Sequence, residues 1–407
     1  MRSPGPDAAQ RQAPARALGH VPTCVVLLWL AGNGMRMTIL AVPPLIPLIH
    51  NDLHMSETEI GILAGLPVIL FAFAAVPGSL LIARFGALAT VIAGLLITAL
   101  GSALRGAAPS VLALYAATIV TGFGVAVMHP SMPPLVRTWL PDRTGFATAV
   151  YANGLLIGEI LPVSLMLPVV LPLVGGSWRL GSVLWAVPCV VIAVIIFVAA
   201  PRRVAVNSAP HLPRRWWPDW NSGLLWRLGL MLGGANASYF TANHFLPDYL
   251  NQTGHGDLVG PALVFLNVGQ LPGSFLLLWL AGRLERQSAT YLLYGASILL
   301  GVLGIILGNG PVILASAGLI GFASASVLIL ILALPPLLSR QEDVPRMAAG
   351  MFTISYSCAV VVPIVSGVAW DLTGLPAAAF VPLGAIAVLM IALAPTLGLA
   401  GRIRLPA

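Results

Sequence analysis

The sequence predicts an all-α integral membrane protein: twelve transmembrane helices in two six-helix pseudo-symmetric bundles. Three observations carry that expectation. Of 407 residues, 58% are hydrophobic and only 8% are charged, against roughly 25% charged in an ordinary soluble domain. The apolar residues gather into runs of at least about 18, the length that crosses a hydrocarbon core as a helix. The chain has no lysine, and 17 of its 20 arginines lie in the tails or at even-numbered breaks between the runs, leaving Arg36, Arg105 and Arg179 elsewhere. Cytoplasmic segments retain positive residues and translocated ones shed them, so this alternation places both termini in the cytoplasm.

The runs fall at approximately 22–49, 58–83, 87–106, 110–136, 144–173, 180–200, 223–248, 258–282, 289–308, 311–338, 347–370 and 376–399. The inside breaks hold Arg84, Arg137 with Arg143, Arg202, Arg203, Arg214 and Arg215 with Arg227 just beyond, Arg283 with Arg286, and Arg340 with Arg346. The outside breaks hold Asp52, Glu57, Glu59, Asp248, Asp257 and Asp371, with Arg105 and Arg179 as their only basic residues. Trp139, Trp178, Trp216, Trp217, Trp220 and Trp370 lie near predicted span ends, where interfacial aromatic anchors belong. The segment 1–20 is polar and basic, and the apolar run after it is too long for a signal peptide, so it is expected as a retained cytoplasmic tail.

A net charge of +7 raises the question of nucleic acid. The arginines sit in short loops at span ends rather than in one stripe with aromatics between them, so they read as topology signals and contacts to anionic lipid. Cys24, Cys189 and Cys358 are scattered through apolar runs, without the spacing of a disulfide framework or a zinc site. No cofactor and no metal is expected.

The longest break, 201–222, carries Pro201, Pro210, Pro213 and Pro218 and divides the spans six and six. The expected organisation is a cytoplasmic tail at 1–20, a six-helix bundle at 21–200, the central loop at 201–222, a second bundle at 223–399 and a tail at 400–407. Leu66-Pro67 recurs as Leu271-Pro272, and Gly145 with Tyr151 recurs as Gly350 with Tyr356, all at one offset of 205 residues. A shared offset at equivalent places suggests parallel repeats about an axis along the membrane normal.

Two six-span halves joined by a basic cytoplasmic loop resemble the major facilitator superfamily of secondary transporters over roughly residues 20 to 400. Arg36 followed by Pro44-Leu45-Ile46-Pro47 resembles the Arg-x7-Pro-x2-Pro pattern of the cyanate permease and nitroimidazole transporter family. Leu104-Arg105, Asn236-x2-Tyr239 with Leu246-Pro247, Gly269-Gln270 and Asp371-x-Thr373-Gly374 extend the similarity. There are departures. Asn33 stands three residues before Arg36, where the family has its asparagine two before, and Met37 replaces a proline. The superfamily's loop motif after the second span is reduced to Arg84 and Gly86. Gly145-x8-Gly154-x3-Gly158 resembles the antiporter signature until its proline position, which is Glu159, so antiport does not carry over.

Arg36 and Glu159 are the only formal charges near the middle of a predicted span. Arg36 lies about 14 residues into its helix and Glu159 about 15, so both sit roughly 21 Å deep, near the midplane. A charge there costs several kcal/mol unless it is paired, wetted or used. As a substrate anchor, Arg36 offers a planar fork that grips a carboxylate or draws in a dipolar solute; the alternative is a structural arginine. Glu159 either couples protons when a substrate competes for Arg36, or forms a static pair with it. His129, ahead of the helix-opening Pro130, is a second candidate for substrate contact or proton transfer. Asn236, Tyr239 and Asn243 form one stripe at i, i+3 and i+7, with His244 beside it, and belong in the bundle interior. Asn33 joins Arg36, His129, Asn236, Tyr239 and Asn243 in the expected substrate-binding set. Asn267 and Gln270 read as helix-to-helix hydrogen-bonding residues.

The resemblance implies a secondary active transporter that moves a small anion or compact polar solute by alternating access, with proton coupling as an open mechanism. It places the chain in the bacterial inner membrane, multi-pass, as a monomer in contact with lipids. The alternative is efflux of a neutral compound such as a nitroimidazole. An integral membrane enzyme would need His, Asp or Glu clustered at one membrane face, and in the sequence these are dispersed.

Overall fold

The structure, a computed structural model, describes residues 21–73, 75–201, 217–285, 287–338 and 344–397. The expected tails at 1–20 and 400–407, and Arg202, Arg203, Arg214, Arg215, Trp216, Arg286 and Arg340, lie outside the described residues. Within them the chain is helix and turn, with no strand. We number the crossings α1 (Val21–Leu53), α2 (Glu57–Phe73, continued by Ala75–Phe85), α3 (Ala87–Gly106), α4 (Val111–Trp139), α5 (Thr144–Leu165), α6 (Trp178–Ala199), α7 (Gly223–Gln252), α8 (Val259–Val268, continued by Gln270–Leu284), α9 (Ser288–Leu307), α10 (Gly310–Ala333), α11 (Val344–Thr373) and α12 (Val381–Leu393). Ten of the helices in the described residues are long and apolar enough to cross a membrane. The other two crossings are α2, whose two helices flank residue 74, and α7, whose 30 residues include the polar stripe expected from the sequence.

Helix α1 is broken where the sequence compels it. Pro43 and Pro44 have no N–H to donate, and the backbone passes through a turn at Met35–Arg36 and a 3-10 turn at Pro43–Leu45 before resuming at Ile46. The break leaves the Thr38 carbonyl without its helical donor. Arg105 fills the gap: its Nη1 donates to Thr38 O at 2.7 Å and its Nε to Thr118 Oγ1 at 3.1 Å. This corrects the expectation for Arg105, which is not a loop charge but a side chain only 2% exposed, bracing α1 from α3. Arg179 is partly exposed, 2.8 Å from Asp52 and stacked over Trp178.

The tryptophans also need correction. Trp139, Trp178 and Trp370 are buried within protein and do not face an interface. Trp178 donates to Asp52 and Trp370 packs beside Phe245. Trp217 remains exposed, as an anchor would be.

Glycines bring α1 and α5 together. A Cβ at Gly32 would sit 2.2 Å from the Tyr151 carbonyl, one at Gly154 2.2 Å from the Trp29 carbonyl, and one at Gly158 2.5 Å from the Asn33 carbonyl. Only hydrogen fits at these three positions, so the two backbones run in direct contact, the small-residue packing characteristic of membrane helices. That contact sets Arg36, one turn past Gly32, beside Glu159, the residue after Gly158.

The first and last six helices meet closely at the acidic end, the end holding Asp52, Glu57, Asp248 and Asp371. A Cβ at Gly61 would collide with the Pro363 carbonyl, and one at Gly367 with that of Glu57, so α2 and α11 touch there. One continuous apolar cluster joins Leu45, Ile46 and Ile49 of α1 to Phe245, Leu246 and Tyr249 of α7. Toward the arginine-rich end, Leu225, Leu228 and Met231 of α7 belong to a separate cluster with Tyr291, Leu330 and Met351.

Candidate substrate site

A cavity of about 730 Å³ lies between the halves, and its lining runs from mid-helix toward the arginine-rich end. Trp29 and Arg36 of α1, Asn153 and Glu159 of α5, Asn236 and Tyr239 of α7, Gln270 and Ser274 of α8, and Ser324 of α10 supply its polar and amphipathic groups; the rest is apolar.

Arg36 stands at the break in α1, outside regular helix, with φ −121° and ψ −28°. Its Nε lies 3.4 Å from Glu159 Oε1, with the two side chains 18% and 7% exposed. The ion pair is loose: Nε and Nη1 are buried yet make no hydrogen bond. A guanidinium normally uses such donors in a fork that matches a planar anion. On its other side, Arg36 faces the Phe71 ring at 5.9 Å. Phe71 in turn makes edge contacts with His129 and Tyr356, at 5.3 and 5.9 Å between ring centroids, and Tyr356 stacks on Phe352. Arg36 is therefore held between an aromatic wall from α2, α4 and α11 and a carboxylate from α5.

Glu159 anchors a polar chain that crosses between the halves. Its Oε2 is 2.9 Å from the Tyr239 hydroxyl and accepts from Gln270 Nε2 at 3.1 Å. The Tyr239 hydroxyl is also 2.6 Å from Asn267 Oδ1. Asn267 cannot be turned round, because its Nδ2 donates to the Leu263 carbonyl at 2.8 Å and to Asn243 Oδ1 at 3.0 Å. Asn243 is fixed in turn by donating to the Tyr239 carbonyl at 3.0 Å. Tyr239 has one hydroxyl hydrogen and two acceptors facing it. With Glu159 ionised, one of the two contacts contains no hydrogen. A proton on Glu159 completes the set, with Glu159 donating to Tyr239 and Tyr239 to Asn267.

Of the residues expected in the site, Arg36, Asn236 and Tyr239 line the cavity together with Glu159. Asn236 also donates to Ser355 on α11 at 2.8 Å. Asn33, Asn243 and His129 are not among its lining residues. Asn33 is fully buried and donates to the Trp29 carbonyl, and Asn243 supports Tyr239 from behind. His129 belongs to the aromatic wall, with Nε2 buried and without a hydrogen-bond partner. His244, beside the stripe, spends its Nδ1–H on the Phe240 carbonyl. Asn267 does bond helix to helix, as its spacing suggested, but Gln270 also reaches the cavity and holds Glu159. Trp29 and Asn153, paired at 2.9 Å on the cavity wall, gave no signal in the sequence, since a lone indole and a lone amide have no period.

Comparison with known proteins places these features in context. The model described as Major Facilitator Superfamily matches residues 27–363. An uncharacterized transporter of Bacillus subtilis (strain 168) is 27% identical over 351 residues, covering 85% of this chain and 86% of the relative. The cyanate transport protein of Escherichia coli (strain K12) is 25% identical over 362 residues, 86% of this chain and 90% of the relative. The 2-nitroimidazole transporter of the same organism is 25% identical over 226 residues, covering 55% of this chain and 56% of the relative. Among solved structures, a bacterial homolog of the human lysosomal transporter Spinster, inward-facing and occupied, superposes with a TM-score of 0.72 at 15% identity over 95% of this chain and 97% of that one. A D-xylose–proton symporter gives 0.73 at 13% identity over 95% and 98%.

Proposed function

The chain belongs to the major facilitator superfamily, and we propose that as a secondary transporter it carries a small planar anion, of the size and shape of cyanate or a short carboxylate, with Arg36 as its anchor. The carrying observation is the state of Arg36: a buried guanidinium in the cavity wall whose Nε and Nη1 make no hydrogen bond and whose one ionic neighbour stands 3.4 Å away. An anion that entered the cavity would take up those donors and weaken the hold on Glu159. Glu159 then binds a proton, supported by the hydrogen that the Tyr239 contacts lack, and solute and proton cross together. The relation to the cyanate transport protein supports the same solute class.

In this reading both termini are cytoplasmic in a bacterial inner membrane, the cavity mouth is the cytoplasmic one, and the protein works as a monomer. Among the relatives is a 2-nitroimidazole transporter, and one observation favours a second reading in that direction. Apart from its few polar groups, the cavity is walled by apolar side chains such as Leu155, Leu156, Phe275, Leu328 and Ile329. A flat heterocycle would fit among these side chains with its nitro group on Arg36, and its direction of movement would then be outward.

Reconstituted Arg36→Lys decides between a substrate anchor and a structural cation. A compact ammonium cannot reproduce a two-pronged grip, and loss of a charge-assisted pair of this kind costs about 2–5 kcal/mol, well over tenfold in affinity. The lysine variant should fold and lose most cyanate or monocarboxylate exchange in proteoliposomes. Affinity retained within about threefold, a cost under about 1 kcal/mol, would make Arg36 structural.

A further inference from the structure

At the acidic end, away from the cavity, three side chains distant in sequence converge. His50 ends α1, Glu57 opens α2 and Asp248 stands near the end of α7. One ligand-type atom from each lies within 4.8 Å of the other two. His50 Nδ1 is in direct contact with Asp248 Oδ2 and 3.9 Å from Glu57 Oε1. Both acids are buried, at 4% and 3% exposure. Glu57 Oε1 accepts from Gln252 Nε2 at 3.3 Å, and Glu57 Oε2 is buried with no hydrogen-bond partner among the described residues.

With Glu57 ionised the charges do not close. One imidazolium balances one carboxylate, and a second carboxylate removed from water either holds a proton or gains a further positive partner. Asp371 supplies none and is already committed: it accepts from the backbone N–H groups of Glu57 and Thr58, at 3.0 and 2.8 Å, and from the Thr58 hydroxyl. Its effect is to fix the start of α2, and with it the position of Glu57.

We propose that His50, Glu57 and Asp248 form a binding site for a divalent transition-metal ion of the zinc type. One imidazole nitrogen and two carboxylate oxygens suit such an ion, whereas calcium or magnesium would require six or more oxygen ligands. Bonds of about 2.0 Å hold tetrahedral ligand atoms about 3.3 Å apart. Three atoms already within 4.8 Å reach that arrangement by side-chain rotation, with the fourth position left to water. The ion would take the place of the proton between His50 and Asp248, and the Glu57 carboxylate would gain a positive partner. Because the three residues come from α1, α2 and α7, an ion here ties the first six helices to the last six. It would bind the form in which this end is closed and hold that form, opposing alternation. This inference does not depend on which solute Arg36 meets.

The test uses purified full-length protein, with Zn2+ for thermal melting and Co2+ for visible absorption, so that no transport substrate is involved. Micromolar Zn2+ should raise the melting temperature, and Co2+ should give the d–d bands of a low-coordinate site that Zn2+ bleaches. His50→Gln and Asp248→Asn should each weaken Zn2+ binding by more than the roughly 10–100-fold typical of losing an outer-shell partner. Gln252→Ala, which removes a neighbour and no ligand, should stay within about tenfold of wild type on the same scale. Wild-type protein that neither shifts its melting with Zn2+ nor colours with Co2+ has no such site. Binding that survives in a folded His50→Gln or Asp248→Asn protein also overturns the assignment. Should either variant fail to fold, Glu57→Gln and the wild-type Co2+ spectrum carry the decision.

Discussion

Arg36 and Glu159 occupy the same depth on two helices whose backbones touch, yet their closest nitrogen and oxygen stand 3.4 Å apart and two donors of Arg36 make no hydrogen bond. A pair meant only to neutralise itself would be expected to close into the bidentate geometry that arginine and carboxylate adopt readily. Glu159 is drawn instead toward Tyr239 and Gln270 in the other half of the molecule. The carboxylate is thus shared between Arg36 in the first half and a polar chain in the second, an arrangement that alternation would remake at each cycle.

Glu159→Gln keeps the shape and a hydrogen-bonding amide but cannot exchange a proton. On the coupling reading, pH-driven accumulation should vanish while counterflow persists. On a structural reading the glutamine protein should melt early, and Arg36→Met with Glu159→Gln should restore its stability, since a buried pair is often replaceable together at little cost. Parallel counterflow, pH-driven uptake and detergent melting on both singles and the double separate these. Full pH-driven accumulation in a well-folded glutamine variant would remove Glu159 from the proton path and leave His129 to be tested.

Tyr239→Phe removes the one hydrogen that Glu159 and Asn267 contend for and leaves the ring in place. Accumulation driven by a pH gradient should fall about tenfold, equivalent to about 1.4 kcal/mol, while counterflow should stay within a few-fold of wild type. Equal loss in both assays would indicate a packing role or a direct contact with solute.

Gly158→Val places a branched side chain where the Asn33 carbonyl lies 2.5 Å from a Cβ. Overpacking of this kind costs about 1–3 kcal/mol, and it forces apart the two helices that carry Arg36 and Glu159. A lower detergent melting temperature and severely reduced exchange are expected. A melting curve matching wild type would show that α1 and α5 tolerate separation.

Topology is open to direct labelling. Ser56 and Gly256 are exposed at the acidic end and Gln287 at the arginine-rich end. Single cysteines on a cysteine-free background should label from outside at the first two positions and from inside at the third. Labelling of the Gln287 position from outside in right-side-out vesicles would invert the orientation and the side on which the cavity opens.

The sequence by itself determined the helices. Apolar length is a local property that a bilayer reads one crossing at a time, so the expected runs at 22–49 and 223–248 meet helices at Val21–Leu53 and Gly223–Gln252 with little revision. It also singled out Arg36 and Glu159, because a charge at mid-span is conspicuous wherever it points. What it left open was adjacency. That Arg105 serves the Thr38 carbonyl, that Gln270 holds Glu159, and that His50, Glu57 and Asp248 converge are facts about residues on helices, with 67, 111 and up to 198 positions between partners in sequence. Helix rotation and partner choice decide such contacts, and both are set by packing: glycines 32, 154 and 158 admit a backbone that any side chain would exclude. Periodicity names the face of a helix, but only the tertiary structure supplies what that face meets.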